Sequence, residues 1–168
     1  IYDLFYRNNI APLERLLLLA KQSGIRKAVV LGSYFTYFDR IWPQLELTRH
    51  HPYIRSRVDQ VNMALSYSDS RFSVCVLELP YIFGAQPGRR PVWVFLVEQL
   101  LAMPGRLALY PRGGTTMVTV RQIGQAMAGA VEKGQVGRQY PVGWFNLSWR
   151  ELLRIFYQHM DQPDRWII

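Results

Sequence analysis

Two apolar runs constrain this chain more than any other feature. They are Ala28-Val29-Val30-Leu31 and Phe72-Ser73-Val74-Cys75-Val76-Leu77. Neither run alternates with polar residues, so each reads as a strand that needs cover on both faces. The first follows a segment, Asn9 to Ser23, whose Leu13, Leu16, Leu17 and Ala20 recur at helical spacing. Pro12 suits the first turn of that helix, and Ser23-Gly24 suits its end. Helix, glycine turn and buried strand together make one step of a parallel α/β sheet. A second helix is expected from about Pro52 to Ser68, broken at Asp69-Ser70, before a second buried strand from Phe72 to Leu79, which Pro80 ends.

The segments after the strands read as loops: Tyr34 to His50, and Tyr81 to Gly88. Loops at the carboxyl ends of parallel strands are where such sheets place ligands. Beyond Arg89-Arg90-Pro91 the pattern changes. Val92 to Met103 reads as an apolar helix stopped by Pro104-Gly105. Leu107 to Tyr110 and Met117 to Val120 read as short strands around a Pro111-Arg112-Gly113-Gly114 turn. Arg121 to Lys133 reads as a helix closed by Gly134, and Gln139 to Val142 as a short strand. Ser148 with Glu151 forms a capping box that opens a helix with Leu152, Leu153 and Phe156 on its apolar face. The expected division is a core over residues 1–88 and a smaller α/β portion over residues 89–168, interleaved with that core.

Of the 168 residues, 49% are hydrophobic and 19% charged, a balance that suits a folded core rather than disorder. No apolar run approaches the roughly 18 residues that would span a membrane, and the opening residues, with Asp3 and Arg7, do not read as a secretory signal. The single Cys75 can form no internal disulfide, so a cytoplasmic location is expected. Three His residues, two of them adjacent, give no metal-ligand spacing. The net charge of +8 points to anionic small molecules. The cations are scattered rather than striped, which argues against nucleic acid as the main partner.

One spacing carries chemistry. Tyr53 and Arg57 are four apart, so a helix puts them on one face. Ser33 stands at the end of the first strand. A cation beside a phenol favours its ionised form, and a hydroxyl within reach can orient a carbonyl or alcohol. A proton-transfer site follows from this if the fold brings the three together. Tyr-x-x-x-Arg alone is common, and the alternative is three structural residues.

The order of these pieces resembles the extended short-chain dehydrogenase/reductase superfamily, the NAD-dependent epimerase/dehydratase group. Asn9-Ile10 is similar to the Asn-Val that opens the family's helix before the catalytic strand. Val29 to Ser33, with Tyr37 four residues on, resembles the strand ending in the family's Ser/Thr pair. Pro52-Tyr53-Ile54-Arg55-Ser56-Arg57 is similar to Pro-Tyr-x-x-Ser-Lys, and Leu79 to Gly84 resembles the meeting of the last Rossmann strand with the nicotinamide. The resemblance implies the C-terminal part of a Rossmann-like parallel sheet with helices on both faces, plus a smaller substrate-binding portion. It implies Ser33, Tyr53 and Arg57 as catalytic residues, and Asn9, Pro80, Ile82 and Phe83 as contacts to NAD or NADP. For Asn9 a helix N-cap is an equal reading. The implied activity is that of an NAD(P)-dependent epimerase, dehydratase or reductase acting on a nucleotide-sugar or other alcohol or carbonyl, with a homodimer left open.

Three departures stand against it. Arg57 replaces the family's Lys, and the two are not interchangeable at a tight site. Glu78 and Leu79 stand where the family often has Arg. No Gly-x-x-Gly-x-x-Gly turn opens the chain, and its first residue is Ile. The expectation is therefore a portion of a longer protein, inactive alone. The rival readings are a non-catalytic binding or assembly protein of the same fold and, from the +8 charge, an anion- or RNA-binding protein.

Overall fold

The computed structural model describes residues 1–103, 107, 108 and 110–167. In chain order the elements are helix α1 (Tyr2–Phe5), a π-helical turn (Tyr6–Ile10), α2 (Ala11–Gln22), strand β1 (Lys27–Ser33), α3 (Tyr34–Ile41), a 3-10 turn (Pro43–Leu45), α4 (Leu47–His50), α5 (Pro52–Ser66), β2 (Ser73–Leu79) and β3 (Tyr81–Phe83). Then come α6 (Val94–Ala102), β4 (Leu107–Ala108), β5 (Gly114–Thr119), α7 (Val120–Lys133), β6 (Gln139–Pro141), β7 (Phe145–Ser148), α8 (Trp149–His159) and β8 (Trp166–Ile167). The chain divides into two compact units: Ile1–Leu79 with Gln122–Val142, and Pro80–Arg121 with Gly143–Ile168.

The first unit is built on a parallel sheet of order β1-β2-β6. β1 lies on β2 in register from Lys27 opposite Ser73 to Ser33 opposite Leu79. β2 is the middle strand, and Val74 to Leu79 are all buried, as its apolar composition requires. On one side Leu17 of α2, Val61 and Ala64 of α5, and Val30, Val74 and Val76 of the sheet form a core with Phe72. The thiol of Cys75 is fully buried, and burial pushes its pKa up, so it packs as a small hydrophobe.

The helix expected from Asn9 begins earlier and is interrupted. Pro12 has no N–H to meet the carbonyl of Asn8, four residues back, and the chain widens into the π turn just before it. Asn9 lies inside that turn and is not an N-cap.

The expected loop from Tyr34 to His50 is mostly helical instead. Ser33 caps α3, its Oγ accepting the Phe35 N–H at 3.4 Å. Trp42 and Pro43 end that helix rather than prevent it.

The second unit has its own sheet, β3-β5-β7, with β3 parallel to β5 and β5 antiparallel to β7. β3 falls in the expected loop after Pro80. The strands expected around Pro111 to Gly114 do not pair with each other: β4 pairs with β8, and β5 with β3 and β7. The stop expected at Pro104-Gly105 lies outside the described residues. α6 and α8 share a core of Leu100 and Tyr157 with Leu96, Leu153 and Phe156 around it. The Ser148–Glu151 capping box is present with both of its hydrogen bonds.

Between α5 and β2 the chain turns on Asp69. Its carboxylate pairs with Lys21 Nζ at 2.7 Å and accepts the N–H groups of Arg71 and Phe72 at 2.7 and 2.9 Å. Lys21 first, then those two donors, lower its pKa from 3.8 to about 2. A carboxyl lowered by folding stabilises the fold above its unfolded value and loses that contribution as pH falls through the folded one. Asp69→Asn is therefore expected to flatten the fall of Tm between pH 3.8 and about 2. A melting series giving the wild-type slope would contradict this role.

Candidate active site

Two of the residues singled out by spacing, Ser33 and Arg57, meet at the carboxyl-terminal part of β1. Ser33 is the last residue of β1 and is buried. Arg57 reaches the same strand from α5, Nη2 donating to the carbonyl of Leu31 at 3.1 Å. Tyr53 stands one turn earlier on α5. Its ring meets Phe35 edge-on at 6.3 Å, and it is Phe35 whose N–H donates to Ser33 Oγ. Phe5 and His51 also touch the Tyr53 ring edge-on, at 5.6 and 6.3 Å. The Tyr53 ring thus sits among other rings and is half-buried.

Arg57 is the unusual member. Burial pushes its guanidinium below the ordinary arginine value, and the charge of an ionised Tyr53 acts the other way. Its Nε is buried with no acceptor among the described residues, and one turn on, Gln60 Oε1 is buried with no donor. The other end of Gln60 is occupied, Nε2 donating to the Asn9 carbonyl at 2.5 Å. Asn9 is therefore tied to α5 by its backbone, through a carbonyl in the π turn.

Pro80, Ile82 and Phe83 belong to the second unit. Pro80 is buried. The Ile82 carbonyl accepts the Trp93 indole N–H at 2.6 Å, and Phe83 stacks on Trp93 with centroids 4.9 Å apart. Trp93 is thus a packing partner. Of the adjacent arginines, Arg90 is ion-paired with Glu98.

Spacing alone missed Glu78. It is fully buried in the middle strand, and its carboxylate accepts from Arg40 Nη1 at 2.9 Å, Arg40 Nη2 at 2.8 Å and Thr36 Oγ1 at 2.6 Å. Arg40 Nη1 also donates to Gln139 Oε1 of β6 at 2.7 Å. Thr36 Oγ1 lies 2.7 Å from the Ser33 carbonyl as well. The one sequence signal was a carboxylate in an otherwise apolar run. Among the described residues no group of three or more His, Cys, Asp and Glu could hold a metal, and no helix is long and apolar enough to cross a membrane.

The sequence matches no protein-family model and no curated protein. Solved structures do match. The crystal structure of gox2253 aligns with 99% of this chain at a TM-score of 0.77 and 15% identity. The dTDP-glucose 4,6-dehydratase DesIV from Streptomyces venezuelae, with NAD and TYD bound, aligns with 99% at 0.71 and 16%. The UDP-N-acetylglucosamine 4-epimerase from Methanobrevibacter ruminantium M1, in complex with UDP-N-acetylmuramic acid, aligns with 96% at 0.71 and 16%. This chain shares the fold of these structures. The chain spans about half of those proteins, 53%, 55% and 56% of their lengths. The expected Rossmann-like α/β class is thus borne out.

Removing Arg40 would leave the Glu78 carboxylate buried and unpaired. Breaking a buried pair in this way costs about 3–5 kcal/mol. Arg40 is itself 42% exposed, so its loss is expected toward the lower end of that range. Arg40→Met should lower stability to urea accordingly, and Arg40→Met with Glu78→Leu should regain most of the loss. A double variant as weak as the single one would rule out the unpaired carboxylate as the cause.

Proposed function

We propose that the protein containing this chain is an NAD(P)-dependent oxidoreductase of the epimerase/dehydratase kind, acting on an alcohol or carbonyl. In this reading Tyr53 moves the proton, Ser33 holds the substrate oxygen, and Arg57 steadies the phenol. The observation that supports the reading is the hydrogen bond from Arg57 to β1, the strand that ends in Ser33. The strand end supplies a buried hydroxyl, and one face of α5 supplies a phenol and a guanidinium tied to the same strand. A phenol next to a cation can give up and regain a proton while the hydroxyl fixes the oxygen that needs it.

A nicotinamide dinucleotide, when bound, gives or takes the hydride. The residues here fit its ribose end. Arg57 keeps a buried N–H with no acceptor among the described residues, which suits a hydroxyl-bearing ligand. Asn9, Pro80, Ile82 and Phe83 complete the proposed contacts. The sequence contains no glycine-rich turn for the pyrophosphate, so that part of the cofactor falls to residues outside it. Residues 89–168 are the proposed source of substrate contacts, and the proposed location is the cytoplasm. Neighbouring structures hold NAD and nucleotide-sugars, which supports a small-molecule substrate and this cofactor.

A second reading, binding without turnover, has one observation in its favour. Arg57 spends Nη2 on a backbone carbonyl and is partly desolvated, where a lysine would present a freer ammonium.

In the full-length protein Tyr53→Phe is expected to lower kcat by at least about a hundredfold while leaving NAD(P)H affinity, read by fluorescence titration, within about twofold. Unchanged kcat would remove Tyr53 from the chemistry. Arg57→Lys separates the two readings. A changed but measurable kcat fits the enzyme, and no turnover in either form, with cofactor bound, fits the binder.

A further inference from the structure

Helix α3 carries an aromatic ladder that neither the fold nor the proton-transfer site requires. Tyr34, Phe38 and Trp42 follow one another at intervals of four, with ring centroids 4.9 Å apart for the first pair and 5.0 Å for the second. Phe38 and Trp42 are stacked, 18° from parallel. Phe35 joins this ladder to the candidate site. Its ring lies 4.7 Å from that of Tyr34 on one side and edge-on to Tyr53 on the other. Trp42, at the far end, is 44% exposed, so the ladder is not a closed core.

We infer that the carbon handled at Tyr53 belongs to a flat, apolar molecule, an aryl or conjugated ketone or aldehyde, and that Phe35, Phe38 and Trp42 form the surface it lies on. The inference rests on the reading of Tyr53 as the proton-transfer residue and names the substrate class of that site. Two observations favour such a molecule over a sugar. First, the ligand would meet ring faces and edges continuously from the phenol outward, an arrangement that binds planar π systems by offset and edge-on contacts. Second, two polar side chains of the same helix, Thr36 and Arg40, are committed to Glu78 and Gln139. A pyranose carries a hydroxyl on most of its carbons, and each one taken from water needs a partner. Phe35 and Phe38 supply apolar area in place of partners, and Trp42 adds a single N–H donor. Reduction at this site would form one C–H bond with the hydride of the dihydronicotinamide and one O–H bond with the phenol proton of Tyr53. The phenolate would then regain a proton from water.

The test uses the full-length protein with NADH and NADPH, and acetophenone, butanone, dTDP-glucose and UDP-N-acetylglucosamine as probes. Turnover of acetophenone, with a kcat/KM above that of butanone by at least about tenfold, is the expected result. Trp42→Ala removes a partly exposed ring and is expected to raise KM for acetophenone by about tenfold and KM for butanone far less. An equal rise for both ketones would overturn the inference. So would a lower Tm with KM unchanged, because the ladder would then be covered by protein. Turnover of either nucleotide-sugar and of neither ketone, abolished by Tyr53→Phe, would overturn the inference and leave the proton-transfer reading standing. Turnover of none of the four would remove both.

Discussion

A carboxylate with no access to water sits in the middle strand of the parallel sheet, and the end of the sheet that holds the candidate site is arranged around it. Taking an ion such as Glu78 out of water costs several kcal/mol, which only well-placed donors offset. Here they come from one helix: both Nη atoms of Arg40 and the hydroxyl of Thr36. Those two side chains are one turn apart, so their shared partner fixes how α3 rolls and tilts against β2. Ser33 is the N-cap of α3, so the same contacts determine where its hydroxyl stands. Thr36 has a single hydroxyl hydrogen, yet its oxygen lies within hydrogen-bond distance of both the Ser33 carbonyl and the Glu78 carboxylate. It serves one acceptor at a time or divides itself between them, which couples the buried charge to the backbone of the strand end.

Much of the first unit was legible because its signals are local and repeated. Unbroken apolar runs marked β1 and β2, and helical spacing marked α2 and α5. The Ser148–Glu151 pair marked the start of α8 without reference to anything distant. The stretch from Tyr34 to His50 was misread for an identifiable reason. Its aromatic residues and Trp42-Pro43 suggest irregular chain, while the serine before Tyr34 and the interval of four to Phe38 are helix signals. Glu78 shows the other limit. A carboxylate inside an apolar run announces that some cation must come to it. Nothing in the order of residues says that the cation is Arg40, 38 positions earlier. The pairing of β5 with β3 and β7 was hidden in the same way. A turn rich in proline and glycine suggests a hairpin, but long-range register decides which strands meet.

The solved neighbours share this architecture at 15–16% identity, a level at which a fold is held in common and its chemistry is free to differ. At the candidate site this chain has Arg57 where the resemblance implies lysine. An ammonium is a compact charge on a flexible stem, whereas a guanidinium is a rigid plane with donors at fixed angles. Once Nη2 of Arg57 is anchored on the Leu31 carbonyl, the remaining N–H directions are no longer free. That rigidity would suit holding a phenol in one orientation better than following a ligand as it moves.

β1 ends the described sheet, and across its seven residues no further strand lies on its outer side among the described residues. A strand margin without a neighbouring strand displays amide hydrogens and carbonyl oxygens at regular spacing, of which the Leu31 carbonyl is here taken by Arg57. Such a margin accepts any extended polypeptide that arrives in register, whether from its own protein or from a second molecule. For work with these 168 residues as an isolated polypeptide, concentration then governs behaviour. Dilute samples favour single molecules, and concentrated ones invite pairing edge to edge.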